Sequence, residues 1–414
     1  MNSGEKKTFL ISAYACEPGE GSEPGVGWNW AIELAKKHNV IVITRSNNKG
    51  RIEEYIHKRN PNNIIFYYCD VPKTLAFWKK GQRGIHLYYS IWQIICYRLA
   101  KRLIQQYVID YAMTVTFGNI WMPTFMHWLP CKFVWGPVGG GEGVPNPLLS
   151  SMTKKQYLIE LIRKVNRLIP LTNPWKNNIC KRSELILVRT LDTLTCIPQK
   201  YYDKCELMIE TGISEEDIEY FRKIRPISDE YQNDFIICGR MYALKLFSLA
   251  IDAFAAATEI HPCSRLHIVG EGPDKEKMMA NVRKYGLEDR IIFEGKLSRE
   301  KTLQLMASVK GLLITSAKEG GSWVMFEAML LKKPIICFDS SGMAVVVDHE
   351  MGYMIPVCTY QEAVERFKQA LIDCYYQDTA KMGAHAYQRV TEHFTWKAKV
   401  DAMLSRLCIN TQIN

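Results

Sequence analysis

Signatures of metal binding and redox chemistry are missing from this sequence. Its 13 cysteines run from Cys16 to Cys408 without a C-x-x-C pair or a cysteine–histidine cluster of metal-ligand spacing. No D-x-D motif stands at the end of a predicted strand. The sequence therefore predicts reduced, mostly buried thiols and no metal site.

Long apolar runs are absent as well. No stretch of 18 apolar residues occurs, so we expect no membrane-spanning helix. The apolar run before Glu17 is too short for a signal peptide, and we expect a cytoplasmic protein. The 414 residues are 47% hydrophobic and 23% charged, which predicts two globular domains instead of one core.

Acidic residues are scarce in two stretches, and these carry the net charge of +10. Residues 71–110 hold seven Lys or Arg against one acid, and residues 151–190 hold nine against two. Between Lys73 and Arg102 the cations alternate with large apolar residues such as Phe77, Tyr88 and Trp92. The pattern fits an amphipathic helix on the anionic inner face of a membrane, or equally a solvated basic face over a buried apolar one. A nucleic-acid partner is not expected, because no nucleic-acid-binding module accompanies the charge.

Strand-like apolar runs alternate with helix-period segments throughout the chain, which predicts parallel sheets with crossover helices. The sequence predicts an α/β fold of two Rossmann-like, doubly wound domains. We expect an N-terminal domain over 1–226, a C-terminal domain over 227–390, and a terminal helical segment over 391–414 that packs back on the first domain. Predicted strands fall near 8–15, 40–45, 64–69, 111–117, 132–138, 234–240, 265–272, 291–296, 311–317 and 334–339, with a weak strand at 205–210.

Two glutamates follow the predicted strand at 311–317, in the segment KEGGSWVMFEAM. Glu319 and Glu327 are separated by seven residues, and a helix begins between them. Gly320, Gly321 and Ser322 allow close backbone approach, and the first amides of the helix are suited to a phosphate. Glu327 has the geometry to accept two hydrogen bonds from a ribose diol. Ligands of open parallel sheets bind at such strand ends.

Two further segments carry candidate ligand-binding residues. Arg240 and Lys245 follow the predicted strand at 234–240, and paired cations at such a place suit a diphosphate leaving group. The N-terminal strand runs into EPGEGSEPGVGWNW, where the turn at Gly25 and Gly27 is predicted to wrap a bound substrate.

These pieces, in this order, resemble the retaining GT-B glycosyltransferases with the E-x7-E motif, the group that includes sucrose-phosphate synthases and bacterial mannosyltransferases. The segments that carry the resemblance extend over nearly the whole chain: SAYACEPGEGSEPGVGWNWA, WGPVGGGEGVP, VGEGPDKEKM, FEGKLSRE, and Glu319 to Glu327 followed by AMLLKKPIICFD. The resemblance implies two domains facing across a cleft and a sugar transfer that retains anomeric configuration.

Residue roles follow from the same resemblance. It implies that Arg240, Lys245 and Glu319 are catalytic, with the cations on the diphosphate and Glu319 on the donor sugar, and that Glu327 binds the ribose. The donor-binding set is completed by Gly320, Gly321, Ser322, Gly25, Gly27 and Gly295, the last in the segment that meets the nucleobase. Gly139, Gly140 and Glu142 are implied on the acceptor side.

The chain departs from the family pattern at two places. Related sequences usually carry a histidine in the strand before GPVGGG, where residues 111–115 read YAMTV, and they commonly have glycine where Leu246 stands. We expect a UDP- or GDP-sugar donor, a glycan or lipid-linked acceptor in polysaccharide or glycolipid assembly, and no separate cofactor. The alternatives are an NAD-dependent oxidoreductase, although no glycine-rich loop matches G-x-G-x-x-G, and a catalytically silent sugar-binding scaffold of the same fold. Sugar, linkage and oligomeric state stay open.

Overall fold

The computed structural model describes residues 6–79, 81, 83–260 and 263–409 and divides into two compact units. The first unit comprises Met1–Gly141, Asn166–Gly212 and Trp396–Asn414, and the second comprises Glu142–Val165 and Ile213–Thr395. The division thus falls at Ile213 and not at residue 227, because the strand that closes the first sheet ends at Leu207. No pattern in the sequence indicated that residues 142–165 belong to the second unit.

Each unit is built on one parallel sheet, as the alternating pattern predicts. The first sheet has seven strands: β1 (Thr8–Ser12), β2 (Asn39–Thr44), β3 (Ile64–Tyr68), β4 (Tyr111–Thr114), β5 (Lys132–Val138), β6 (Ser183–Val188) and β7 (Cys205–Leu207). The second has six: β8 (Phe235–Cys238), β9 (Leu266–Val269), β10 (Ile291–Gly295), β11 (Gly311–Ile314), β12 (Ile335–Phe338) and β13 (Gly352–Ile355). Their interior positions are almost entirely apolar because helices cover both faces.

The helices, in chain order, are α1 (Ser22–Ala35), α2 (Lys49–Arg59), α3 (Ile85–Leu103), α4 (Lys154–Thr172), α5 (Pro174–Arg182), α6 (Leu191–Leu194), α7 (Glu215–Arg222), α8 (Phe247–Ala256), α9 (Lys275–Tyr285), α10 (Arg299–Ser308), α11 (Trp323–Leu330), α12 (Met343–Val346), α13 (Tyr360–Tyr376), α14 (Ala380–His393) and α15 (Trp396–Arg406). The predicted terminal segment over 391–414 holds, within the described residues, the end of α14 and all of α15. The second of them, α15, lies in the first unit, where the Trp396 ring contacts Trp30 of α1.

Both sheets follow the doubly wound strand order. The first runs β3-β2-β1-β4-β5-β6-β7 and the second β10-β9-β8-β11-β12-β13, so the order reverses between β1 and β4 and between β8 and β11. Loops that leave neighbouring strands in opposite directions open a crevice at this point, and ligands of such sheets bind there. We therefore looked for the predicted site residues at the two points where the strand order reverses.

The prediction that Gly25 and Gly27 form a turn after β1 is wrong, because a helix begins before them. Helix α1 begins at Ser22, so Gly25 and Gly27 lie within it. A Cβ added to Gly25 would stand 2.1 Å from the Glu20 carbonyl oxygen, and one added to Gly27 would stand 2.1 Å from that of Ala15. Both glycines therefore allow α1 to pack closely on the segment that precedes it.

The aromatic residues of the basic stretch lie mainly in the core. Tyr88, Tyr89 and Trp92 of α3 are buried in the first unit, whereas Phe77 and Leu87 are exposed. Lys80, part of the same charge pattern, lies outside the described residues. Among the helices that the structure describes, none is long and apolar enough to cross a bilayer.

Candidate active site

The loop after β8 carries the two predicted diphosphate-binding cations. Arg240 stands directly after the β8 turn with an exposed side chain, and Lys245 ends a short 3-10 turn over Ala243–Lys245 that leads into α8. Leu246, between that turn and α8, has a left-handed backbone with φ 46° and ψ 41°. This conformation is unfavourable for a branched residue and easy for glycine, the residue that the resemblance leads us to expect here.

Lys245 and Glu319 form an ion pair between the β8 loop and the β11 loop. Both side chains keep 16% of their surface exposed, so the pair is accessible to a ligand. Backbone contacts fix the two loops together: the Thr315 hydroxyl lies 2.9 Å from the Lys245 carbonyl oxygen, and the Ala317 amide donates to the Leu244 carbonyl oxygen at 2.9 Å. The structure thus brings two of the predicted catalytic residues into contact across the strand-order reversal.

The glycine segment after Glu319 is held by a residue that sequence reasoning missed. The Gly342 amide donates to the Glu319 carbonyl oxygen at 2.8 Å, and a Cβ at Gly342 would stand 1.5 Å from the Gly320 carbonyl oxygen. Ser322 precedes α11 without capping its amides through its side chain. Those amides therefore stay suited to an anionic ligand.

Glu327 lies in α11, with 16% of its side chain exposed, and pairs with Arg299 at 3.4 Å between Nε and Oε1. Burial raises the pKa of the Glu327 carboxyl, and the Arg299 guanidinium opposes that shift. Arg299 is itself half exposed and stands over the rings of Tyr220 and Phe221. It was not predicted, although it directly follows the FEGKLS segment that the resemblance assigns to the nucleobase.

Gly295, the last predicted donor contact of the second unit, ends β10 with φ +67°. Its backbone carbonyl accepts the Gly270 amide at 2.8 Å, and a Cβ there would stand 3.2 Å from Glu271 Oε1. Arg240, Lys245, Glu319, Glu327 and Gly295 therefore all lie at the carboxyl edge of the second sheet.

The predicted acceptor-side glycines directly follow β5 in the first unit. A Cβ on Gly139 would overlap the Arg189 guanidinium, and one on Gly140, at φ +98°, would stand 2.3 Å from Asn119 Oδ1. Their small size is therefore needed for packing at this edge. Glu142, two residues later, is half-buried and belongs to the second unit.

A carboxylate that sequence reasoning missed lies in the first unit, in the segment where only glycines were noticed. Glu23 Oε2 accepts the Phe117 amide at 2.8 Å. Burial raises the pKa of Glu23 to about 7, and the charge of Glu210 adds to the shift. Glu210 in turn pairs with Arg189, so the cluster joins the start of α1 to the ends of β6 and β7. Within the described ranges, no group of three or more His, Cys, Asp or Glu has a geometry suited to a metal ion.

Comparison with known proteins places the chain beside sugar-transferring enzymes. Residues 219–389 match the family described as glycosyl transferases group 1. The chain is 24% identical over 405 residues to the N-acetyl-alpha-D-glucosaminyl L-malate synthase of Bacillus anthracis, which covers 92% of this chain and 91% of that protein.

Two further comparisons are informative: one covers part of the sequence, and the other shows the fold alone. The poly(ribitol-phosphate) alpha-N-acetylglucosaminyltransferase of Staphylococcus aureus strain COL is 21% identical over 255 residues, 61% of this chain and 45% of that protein. The solved structure of Anabaena HepE in complex with UDP and glucose shares the fold with a TM-score of 0.55 at 15% identity, over 96% of this chain and 99% of that one.

Proposed function

We propose that the chain is a glycosyltransferase that moves a hexose-type sugar from a UDP- or GDP-sugar, since residues 219–389 match the family described as glycosyl transferases group 1. The acceptor is a glycan or a lipid-linked molecule of cell-surface polysaccharide or glycolipid assembly. One observation carries the proposal: Lys245 and Glu319, 74 positions apart in the chain, meet at the strand-order reversal, and Arg240 lies in the same loop as Lys245.

Arg240 and Lys245 act on the leaving group. As the bond between the anomeric carbon and the phosphate oxygen breaks, negative charge grows on the diphosphate, and the two cations neutralise it. The acceptor hydroxyl attacks from the same face, its oxygen forms the new glycosidic bond, and its proton passes to the departing phosphate oxygen. The anomeric configuration is thereby retained. The cations supply the positive charge, so the proposed reaction needs neither a metal ion nor a separate cofactor.

Glu319 and Glu327 bind the two sugars of the donor. Donor binding exchanges the partners of the Lys245–Glu319 pair, so that Lys245 turns to the diphosphate and Glu319 accepts hydroxyl groups of the transferred sugar. Glu327 accepts the ribose hydroxyls, with Arg299 beside it to keep the carboxylate charged. The first amides of α11, which the Ser322 side chain does not cap, add donors for a phosphate oxygen.

In this proposal, the acceptor binds to the first unit and to residues 139–142. The enzyme works in the cytoplasm, on the inner face of the membrane where the acceptor is lipid-linked. The oxidoreductase alternative is not favoured, because the matched family is a transferase family.

Thermal unfolding with UDP, GDP, UDP-sugars, GDP-sugars and NAD tests the donor class. A true donor at 100 times its dissociation constant raises the free energy of unfolding by about 2.7 kcal/mol. Release of nucleoside diphosphate in the presence of acceptor separates an enzyme from a silent scaffold, and NMR of the product gives its anomeric configuration.

Three results would contradict the proposal: stabilisation by NAD alone, binding of nucleotide sugars without turnover, or an inverted product. Strong inhibition by a chelator, reversed by manganese or magnesium, would contradict the metal-independent mechanism.

A further inference from the structure

The first three turns of α4 present apolar side chains to the outside. In a helix that packs on a globular core, the apolar stripe faces inward. Here the exposed fractions are Tyr157 47%, Leu158 57%, Ile159 36%, Leu161 48% and Ile162 52%. Among the described side chains of residues 142–165, these five are all of the exposed large apolar ones, and such a contiguous apolar patch indicates a partner that covers it.

The inward face of the same turns is polar. The buried Glu160 carboxylate accepts Lys318 Nζ at 2.7 Å, Arg163 Nη1 at 2.6 Å and the Val144 amide at 3.3 Å. At about 100° per residue, the five apolar side chains span roughly 200° of the helix and Glu160 falls on the opposite side. The buried ion pair therefore fixes the apolar face outward.

Charge identifies the partner. Lys154, Lys155, Arg163 and Lys164 are all exposed, and the one acid between them, Glu160, is buried. A second copy of this chain is a poor partner, since two-fold pairing of identical faces would bring eight cations together. An anionic bilayer matches both features, because its headgroup phosphates attract the cations while its acyl region receives the apolar side chains.

We propose that residues 154–164 of α4 dock on an anionic lipid bilayer. The docking element differs from the basic stretch at 73–102, whose aromatic residues Tyr88 and Trp92 are buried in the first unit. It is also independent of the proposed sugar transfer, because the docking requires no donor. Lys318, the partner of Glu160, directly precedes Glu319, so the element that docks is tied to the loop of the catalytic pair.

Co-sedimentation of the full chain with vesicles tests the proposal. We expect binding to vesicles of phosphatidylglycerol and phosphatidylcholine, weakening with salt as screening shortens the reach of the cations, and little binding to phosphatidylcholine alone. The double variant Leu158→Ser, Ile162→Ser should lower the partition coefficient about tenfold or more, since two side chains no longer enter the apolar region. The control Phe77→Ser, Leu87→Ser removes two apolar residues of the first unit whose exposure is similar or greater, and it should change the partition coefficient less than about twofold.

A triple variant tests how much the positive charges of α4 contribute to vesicle binding, and a folding control accompanies it. Lys154→Gln, Lys155→Gln, Lys164→Gln keeps the apolar face and should lose the preference for anionic vesicles, while circular dichroism reports that both α4 variants stay folded. Vesicle binding that the α4 variants leave unchanged, or that only the Phe77 control abolishes, would overturn the proposal. A lipid-free dimer that dissociates in the Leu158→Ser, Ile162→Ser variant would identify a second copy as the partner instead.

Discussion

The two units share one strand order and carry different chemistry where it reverses. After β8 and β11 the second unit places charged side chains, with Lys245 paired to Glu319. After β1 and β4 the first unit places aromatic rings, and Tyr14 packs edge-on against Tyr89 and Phe117. Each sheet thus has one potential ligand-binding crevice at the reversal of its strand order, and the residues at the strand ends determine its chemistry. Substitutions at four residues test this contrast.

Arg240 should show the largest effect, because in our proposal its charge matters most when the diphosphate departs. Arg240→Ala should lower kcat by about 10²-fold or more, with a smaller loss of donor affinity. Arg240→Lys should restore only part, since an ammonium lacks the planar fork. Steady-state kinetics with Arg283→Ala, an exposed arginine of α9, as the control give the comparison. A fully active Arg240→Ala enzyme would refute the assigned role.

Glu319 should affect turnover more than nucleotide binding. Glu319→Ala removes the proposed contact to the transferred sugar and frees Lys245, so kcat should fall about 10- to 100-fold while affinity for the nucleoside diphosphate holds or rises. Calorimetric titration of UDP and GDP alongside kcat measures both. Equal loss of the two quantities would place Glu319 in general donor binding instead.

Glu327 should affect donor binding more than turnover, the reverse of what we expect for Glu319. Glu327→Gln weakens a contact shared by the ground state and the transition state, so KM for the donor should rise about tenfold and kcat should change little. The same assay with a deoxyribose donor gives the control, because a donor without the 2′-hydroxyl should lose most of the difference between variant and parent. An unchanged KM would remove the ribose assignment.

Glu23 should give the smallest effect, and one confined to the first unit. Its pKa is raised to about 7, so the folded state binds more protons than the unfolded state between about pH 4.5 and pH 7, and stability falls as pH rises through that window. Glu23→Gln should remove this loss and be more stable than the parent at pH 8 by about 1 to 2 kcal/mol, with no gain below about pH 4.5. Urea unfolding at several pH values measures this difference in the free energy of unfolding. Glu288→Gln, at an exposed position of the second unit, is the control. A gain that does not vary with pH would argue against the titration of Glu23.

Five of the six strands of the second unit could be predicted because each is a short apolar run followed by polar residues. One strand was missed in each unit. β6 follows α5 directly at Ser183, with no glycine or proline to separate them, and β13 begins at Gly352, a residue type that usually indicates a turn.

The site was predictable only in its parts. The motif residues Arg240, Lys245, Glu319 and Glu327 stand out one by one, but the Lys245–Glu319 contact depends on β8 and β11 being neighbours, which only the folded sheet establishes. Gly25 and Gly27 were misplaced because glycine and proline usually indicate a loop. Proline is tolerated in a first helical turn, so Ser22 and Pro24 are also compatible with the helix start that forms.

The division of the first unit among three separate segments has a consequence for how the protein is made. Its last segment, α15, supplies the buried Lys399, whose ammonium group donates to the Ile209 carbonyl oxygen, and Trp396, which packs on Gly212. The six strands of the second sheet lie in one continuous run of the chain, whereas the first unit gains its Trp396 and Lys399 contacts only once α15 has been synthesised. We therefore expect a chain truncated before Trp396 to keep the strands of the second sheet and to lose stability in the first unit.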